Sequence, residues 1–123
     1  MNFNITEAEW KVMKVLWEKA PLALKEIANN LKKETNWSNT TVRTLIVRLM
    51  EKNFIEADKS TGKFNYIPIV KKEECQLHET NQFINTVFDG SMEMFITAFS
   101  KKGKLTKEDA KELKKIIEKI EED

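Results

Sequence analysis

Glycine occurs 3 times, proline twice, and cysteine and histidine once each in 123 residues. So little glycine and proline leaves scant room for long loops, and no Gly-rich loop is present to cradle a phosphate. One histidine supplies no Ser-His-Asp or Cys-His arrangement with a third orienting group, and the carboxylates fall at solvated helix positions, so the chain does not read as an enzyme. A lone cysteine, Cys75, forms no internal disulfide, which suits a reducing cytoplasm. Cys75 and His78 make a Cys-x-x-His pair, short of the roughly four ligands a structural zinc site needs. No cofactor or metal is expected. No apolar window approaches the ~18 uninterrupted residues of a membrane span, which argues against membrane insertion. The opening Met-Asn-Phe-Asn-Ile-Thr-Glu lacks a basic region followed by an apolar core, so no secretory signal is expected and the cytoplasm is the expected location.

What is present suits a soluble, helix-rich protein: 41% hydrophobic and 33% charged residues. Net charge is only +1, but residues 1–70 hold 11 Lys+Arg against 8 Asp+Glu, and residues 71–123 hold 10 against 12. Distribution matters more than the sum for a polyanionic partner. Segment 37–64 gathers Arg43, Arg48, Lys52, Lys59 and Lys63.

The most informative stretch starts at Ser38, whose hydroxyl suits a helix N-cap. Val42, Leu45, Ile46 and Leu49 follow at i, i+3, i+4, i+7 and define one apolar stripe. The opposite side carries Thr40, Thr44 and Val47 flanked by Arg43 and Arg48, with Thr41 in the first turn. An ordinary solvated face would mix Glu and Lys. Short side chains and guanidiniums suit entry into the major groove of double-stranded DNA, which marks a recognition helix. Arg43 can lie on guanine O6/N7 or bind phosphate, and Val47 can meet a thymine methyl or simply be tolerated at the surface. Thr40, Thr41 and Thr44 reach base edges or phosphate, unless their hydroxyls bond back to the helix. Arg48, at the flank, meets phosphate or pairs with Glu51.

Thr6-Glu-Ala-Glu9 is a capping box opening a helix to about Lys19, with Trp10, Met13, Leu16 and Trp17 inward, and Pro21 stops it. A second helix covers Leu24–Lys33 through Leu24, Ile27, Ala28 and Leu31. After the recognition helix the period changes to two, with Ile55 and Ala57, then Phe64, Tyr66 and Pro68, flanking Ser60-Thr-Gly-Lys63. That is a β-hairpin whose basic tip, Lys59 and Lys63, suits a phosphate backbone. The fold class expected is mainly α with a small β-hairpin wing: a winged helix-turn-helix DNA-binding domain over 1–70 and a C-terminal three-helix dimerisation domain over 71–123.

In that second segment Leu77, Ile84, Val87 and Phe88 share one side of a helix from Lys72 to Asp89, ended by Gly90. Met92, Phe95, Ile96 and Phe99 form a second stripe ending near Gly103. Leu113, Ile116, Ile117 and Ile120 form a third, capped by Thr106-Lys-Glu-Asp109. So short a segment cannot bury three stripes within one chain, and a homodimer is expected. The rival function is a winged-helix protein–protein adaptor without specific DNA binding. An adaptor would be expected to carry an acidic or apolar third helix.

Glu9-Trp10, Trp37-Ser38, Thr41-Val-Arg-Thr-Leu-Ile-Val-Arg-Leu49, Phe83-Ile-Asn-Thr-Val87 and Thr106-Lys-Glu-Asp-Ala-Lys-Glu-Leu113 together resemble the penicillinase-repressor family (BlaI and MecI). The resemblance implies a dimeric transcriptional repressor on an operator dyad with TACA/TGTA-like half-sites. It implies groove-facing roles for Thr40, Thr41, Arg43 and Thr44, and a wing role for the hairpin. In the family's antibiotic-responsive members, a membrane sensor protease signals cleavage at an Asn-Phe bond. The matching position here is Ala98-Phe99, which keeps the phenylalanine and lacks the asparagine. The paired Cys-x-Cys motifs of the copper-responsive relatives are absent.

Overall fold

A computed structural model of the chain describes residues 4–122 and contains six helices and one two-stranded antiparallel sheet among them. Helix α1 spans Glu7–Lys19, α2 Leu24–Leu31 and α3 Asn39–Glu51, followed by strands β1 (Ile55–Asp58) and β2 (Asn65–Pro68). Helices α4 (Lys72–Val87), α5 (Met92–Lys101) and α6 (Lys107–Glu122) complete the chain. The chain divides into two compact units, 1–79 and 80–123. The pattern of the sequence changes after residue 70, but the first compact unit takes in the opening turns of α4.

The first unit is the winged helix-turn-helix. Thr6 caps α1 as its spacing predicts: its hydroxyl accepts the Glu9 N–H at 3.1 Å, and its own N–H donates to Glu9 Oε1 at 2.8 Å. Val12, Met13 and Leu16 from α1, Ile27 and Leu31 from α2, and the whole α3 stripe of Val42, Leu45, Ile46 and Leu49 are buried together with Phe54. Each such side chain contributes roughly 1.5–3 kcal/mol on burial, which holds three short helices that would not persist alone. Trp10 and Trp17 pack at the edge of this core, ring centroids 5.7 Å apart, and Trp17 Nε1 donates to the Val70 carbonyl at 3.0 Å. Helix α2 ends at Leu31, short of Lys33, because Glu34 and Thr35 both donate to the Leu31 carbonyl and turn the chain.

In the hairpin Ile55 pairs with Pro68 and Ala57 with Tyr66, so the two alternating sets share a face. Gly62 sits in the turn with φ +82°, a conformation that a β-carbon disfavours. The period-two pattern does not reveal that Leu22 bridges to Tyr66, Tyr66 N–H donating to the Leu22 carbonyl at 2.7 Å. One residue-long bridge carries no alternation to read.

Cys75 is buried in the core of this first unit. Burial, with a smaller push from the charge on Glu74, raises its thiol above the ordinary range, so little thiolate forms at neutral pH. Iodoacetamide is therefore expected to label the native chain far more slowly than the urea-unfolded chain. Equal rates by mass spectrometry would contradict this placement.

The second unit is built differently. Asp89 and Gly90 both take positive φ after α4, and the Gly90 N–H donates to the Ile84 carbonyl at 3.1 Å, ending the helix at Val87 rather than Asp89. Ser91 then caps α5, accepting the Met94 N–H at 3.1 Å, and Thr106 and Asp109 box the start of α6. Phe83, Phe88, Phe95 and Phe99 stack edge-on or tilted at 5.6–6.3 Å. Ile84 is buried within its own chain, and Phe88, Phe95 and Leu113 are half-buried. Yet neither α5 nor α6 has a single buried residue. Leu77, Val87, Met92, Ile96, Phe99, Ile116, Ile117 and Ile120 all stand exposed.

Candidate nucleic-acid interface

The presentation of α3 follows from its two faces. Ser38 Oγ accepts the Thr41 N–H at 3.2 Å and starts the helix, and the buried stripe then locks its inner side to the core. That leaves Thr40, Thr41, Arg43, Thr44 and Arg48 exposed, with Val47 at 45%. Neither guanidinium has an ion pair among the described residues, so the Arg48–Glu51 pairing does not form there. Two threonines do bond locally. Thr44 Oγ1 donates to the Thr40 carbonyl at 3.1 Å, and the Ser38 and Thr41 hydroxyls lie 3.2 Å apart. A hydroxyl that donates inward still offers its lone pairs outward, so these positions remain acceptors for exocyclic amino groups.

Lys52 leaves the basic set that its sequence position suggests. Its ammonium turns to Glu9 Oε1 at 2.7 Å and to the Asn4 carbonyl at 2.9 Å. Lys59 and Lys63 do lie exposed about the wing turn, which Asp58 organises by accepting the Ser60 N–H at 2.9 Å. That hydrogen bond, with one from the Ser60 side chain, holds the Asp58 carboxyl below its usual range. Lys59 Nζ stands 4.8 Å from the centre of the Phe64 ring.

Two residues at this surface escape the pattern reading. Phe64 lies just outside β2 and is exposed, and Lys25 lies exposed in the first turn of α2. With Ala23, Leu24, Arg43 and Tyr66 they line a cleft of about 460 Å³ between wing and helices. Signals for both exist: an aromatic directly after a basic turn, and a lysine where a helix start favours acids.

A buried three-helix core, a basic wing and an open helix face of hydroxyls and guanidiniums, unpaired among the described residues, together define a winged helix-turn-helix of the DNA-binding kind. The penicillinase repressor family matches residues 5–119, and the chain belongs to it. That family consists of transcriptional repressors, which are not enzymes. The methicillin resistance regulatory protein MecI of Mammaliicoccus sciuri is 32% identical over 118 residues, covering 96% of either chain. The penicillinase repressor of Staphylococcus aureus is 31% identical over 117 residues, covering 95% of this chain and 93% of its own. Among solved structures, the monomeric form of Bacillus licheniformis BlaI in complex with the blaP half-operator superposes with a TM-score of 0.52. That pair shares 31% identity over 58% of this chain and 87% of the other.

Proposed function

We propose that this chain is a sequence-specific DNA-binding repressor that acts as a homodimer on an operator dyad with TACA/TGTA-like half-sites. The observation that carries the reading is the outer face of α3, where Thr40, Arg43 and Thr44 are open to solvent and both guanidiniums are unpaired among the described residues. The BlaI relative bound to a half-operator supports it. In this scheme α3 enters the major groove, with Arg43, Thr40, Thr41 and Thr44 at base edges and Val47 against a thymine methyl. Arg48, Lys59 and Lys63 bind phosphates, which fix register rather than read sequence. Residues 1–70 hold the DNA and residues 71–123 join two copies, so that two α3 helices meet half-sites about 34–36 Å apart or a multiple of it. Repression follows by occupying a promoter in the cytoplasm. Induction through a membrane sensor protease would act at Ala98–Phe99, a bond inside α5, so α5 must unwind locally before it can be cut.

The test is a mobility shift of the full chain on a TACA/TGTA dyad duplex and on a scrambled duplex, over a range of salt. Retention of the dyad that falls steeply with salt is expected, since lysines and arginines displace counterions. Arg43→Ala is expected to weaken the dyad complex about 5- to 150-fold, the equivalent of roughly 1–3 kcal/mol for one base contact, and to leave scrambled DNA nearly unchanged. Equal weakening on both duplexes assigns Arg43 to phosphate. No specific retention of either duplex would favour the adaptor.

A further inference from the structure

The geometry points to a seat for one sugar–phosphate unit of duplex DNA in the cleft between wing and α3, with the Phe64 ring against the deoxyribose and the Lys25 ammonium on the phosphate. The inference rests on the DNA-binding reading above and adds two residues which that reading does not use. Phe64 is 55% exposed at the end of the wing turn, where an uncovered ring is costly in water. The Lys59 ammonium, 4.8 Å from its centre, steadies the ring but leaves most of it open.

The walls of the cleft are fixed in advance. Tyr66 N–H donates to the Leu22 carbonyl at 2.7 Å and Leu22 N–H to the Tyr66 carbonyl at 3.3 Å, which stitches the wing to the residues preceding α2. Its volume of about 460 Å³ falls within the range of about 300–1,000 Å³ typical of small-ligand sites, room enough for one nucleotide unit. Charge selects the occupant. Lys25 stands in the first turn of α2, where the helix dipole opposes a cation, and a phosphate beside it reverses that penalty. Arg43 forms the facing wall, and neither cation has an ion pair among the described residues. The acid next to Lys25, Glu26, has its Oε1 committed to the Ala23 N–H at 3.0 Å. An apolar ring beside a cation matches the alternation of deoxyribose and phosphate along a DNA strand, so Lys25 and Phe64 read no base, while Arg43 at the cleft's rim keeps its place at the base edges.

Methylphosphonate interference on the TACA/TGTA dyad duplex, with the full chain, tests this. Neutralising one phosphate per half-site is expected to weaken the wild type. Lys25→Ala is expected to bind about tenfold more weakly, to lose its response to that phosphate, and to show a salt slope shallower by about 0.9 for each contact removed. Phe64→Ala is expected to bind about tenfold more weakly with an unchanged salt slope, Phe64→Tyr to recover most of the loss, and neither to alter base preference. Thermal melting checks that each variant folds, and Phe64→Leu replaces Phe64→Ala should the latter melt early. Phe64 variants that bind as the wild type does, or that change base preference, overturn the inference while leaving the repressor reading intact. A wild type that retains no duplex specifically overturns both.

Discussion

If residues 71–123 join two copies as proposed, Ile117→Asp is expected to leave the chain monomeric at micromolar concentration and to weaken binding to a dyad duplex by about 10²–10⁴-fold, with affinity for an isolated half-site unchanged. The size of the effect follows from linkage. Once one half-site is held, the second copy of α3 faces its half-site at an effective concentration set by the dimer, and a monomer loses that advantage without losing a single contact to DNA. The site of the effect follows from exposure. Ile117 is 45% and Ile120 67% exposed on a helix with no buried residue, and α5 beside it in sequence has none either. Isolated helices of 10 and 16 residues are marginal in water, and an apolar stripe left facing solvent adds to the cost. In the dimer proposed above, a second copy would cover such stripes and make the helices persist. An aspartate at Ile117 would bury an unpaired carboxylate in that contact. Sedimentation with mobility shifts on dyad and half-site duplexes reads both arms. A wild type that sediments as a compact monomer, or an Ile117→Asp chain that stays dimeric on tight dyad DNA, would refute the assignment.

The parts of the fold that repeat a period were legible beforehand. Val42, Leu45, Ile46 and Leu49 read as one stripe and are buried as one, because a helix anchored on one side has no other way to satisfy that spacing. Thr6 with Glu9, and Ser38, announced their helices because capping is a local matter of three or four residues. Contacts that depend on distant parts of the chain meeting left no periodic trace. Glu9 read as half of a capping box and Lys52 as a member of the basic cluster, yet they meet across 43 positions of sequence. Cys75 belongs to the first unit's core although the pattern changes after residue 70, since a helix crossing between two units shows one continuous period. At the candidate interface, the exposed face of α3 was readable from composition. The cleft formed by Lys25 and Phe64 was not, because its walls come from three separate elements.

Lys52→Met is expected to cost about 3 kcal/mol of stability, and the double variant Glu9→Gln/Lys52→Met to recover most of that loss. Glu9 is fully buried, at 0% exposure, while the Lys52 side chain keeps 25%. Glu9 Oε1 accepts from both Lys52 and Thr6, and Oε2 has no partner among the described residues, so the carboxylate depends heavily on the ammonium. Removing one partner of a buried pair typically costs about 3–5 kcal/mol, and the partial exposure of Lys52 places this pair at the low end. Burial alone would raise the Glu9 carboxyl. Hydrogen bonds from Lys52 and Thr6, with the attraction of the Lys52 charge, outweigh it and hold the group below its ordinary value. The sign is then fixed: a depressed carboxylate contributes stability that is fully present above the ordinary glutamate value of about 4.3 and is lost as pH falls through the folded value. Without Lys52 the carboxyl titrates higher than in the wild type. The stability gap between the two chains should therefore be full above the pH at which the Lys52→Met carboxyl protonates, and narrow as pH falls from there through the wild type's lowered folded value. Urea unfolding at several pH values measures the gap, and a difference independent of pH, or a double variant as unstable as the single one, would show that the pair does not act this way. The same pair ties the start of α1 to the end of α3, since Lys52 is also the α3 C-cap, its N–H reaching the Arg48 carbonyl at 3.0 Å. Loss of the ammonium therefore frees the far end of the helix proposed to face the DNA, and operator affinity should fall with stability in Lys52→Met and return with it in the double variant.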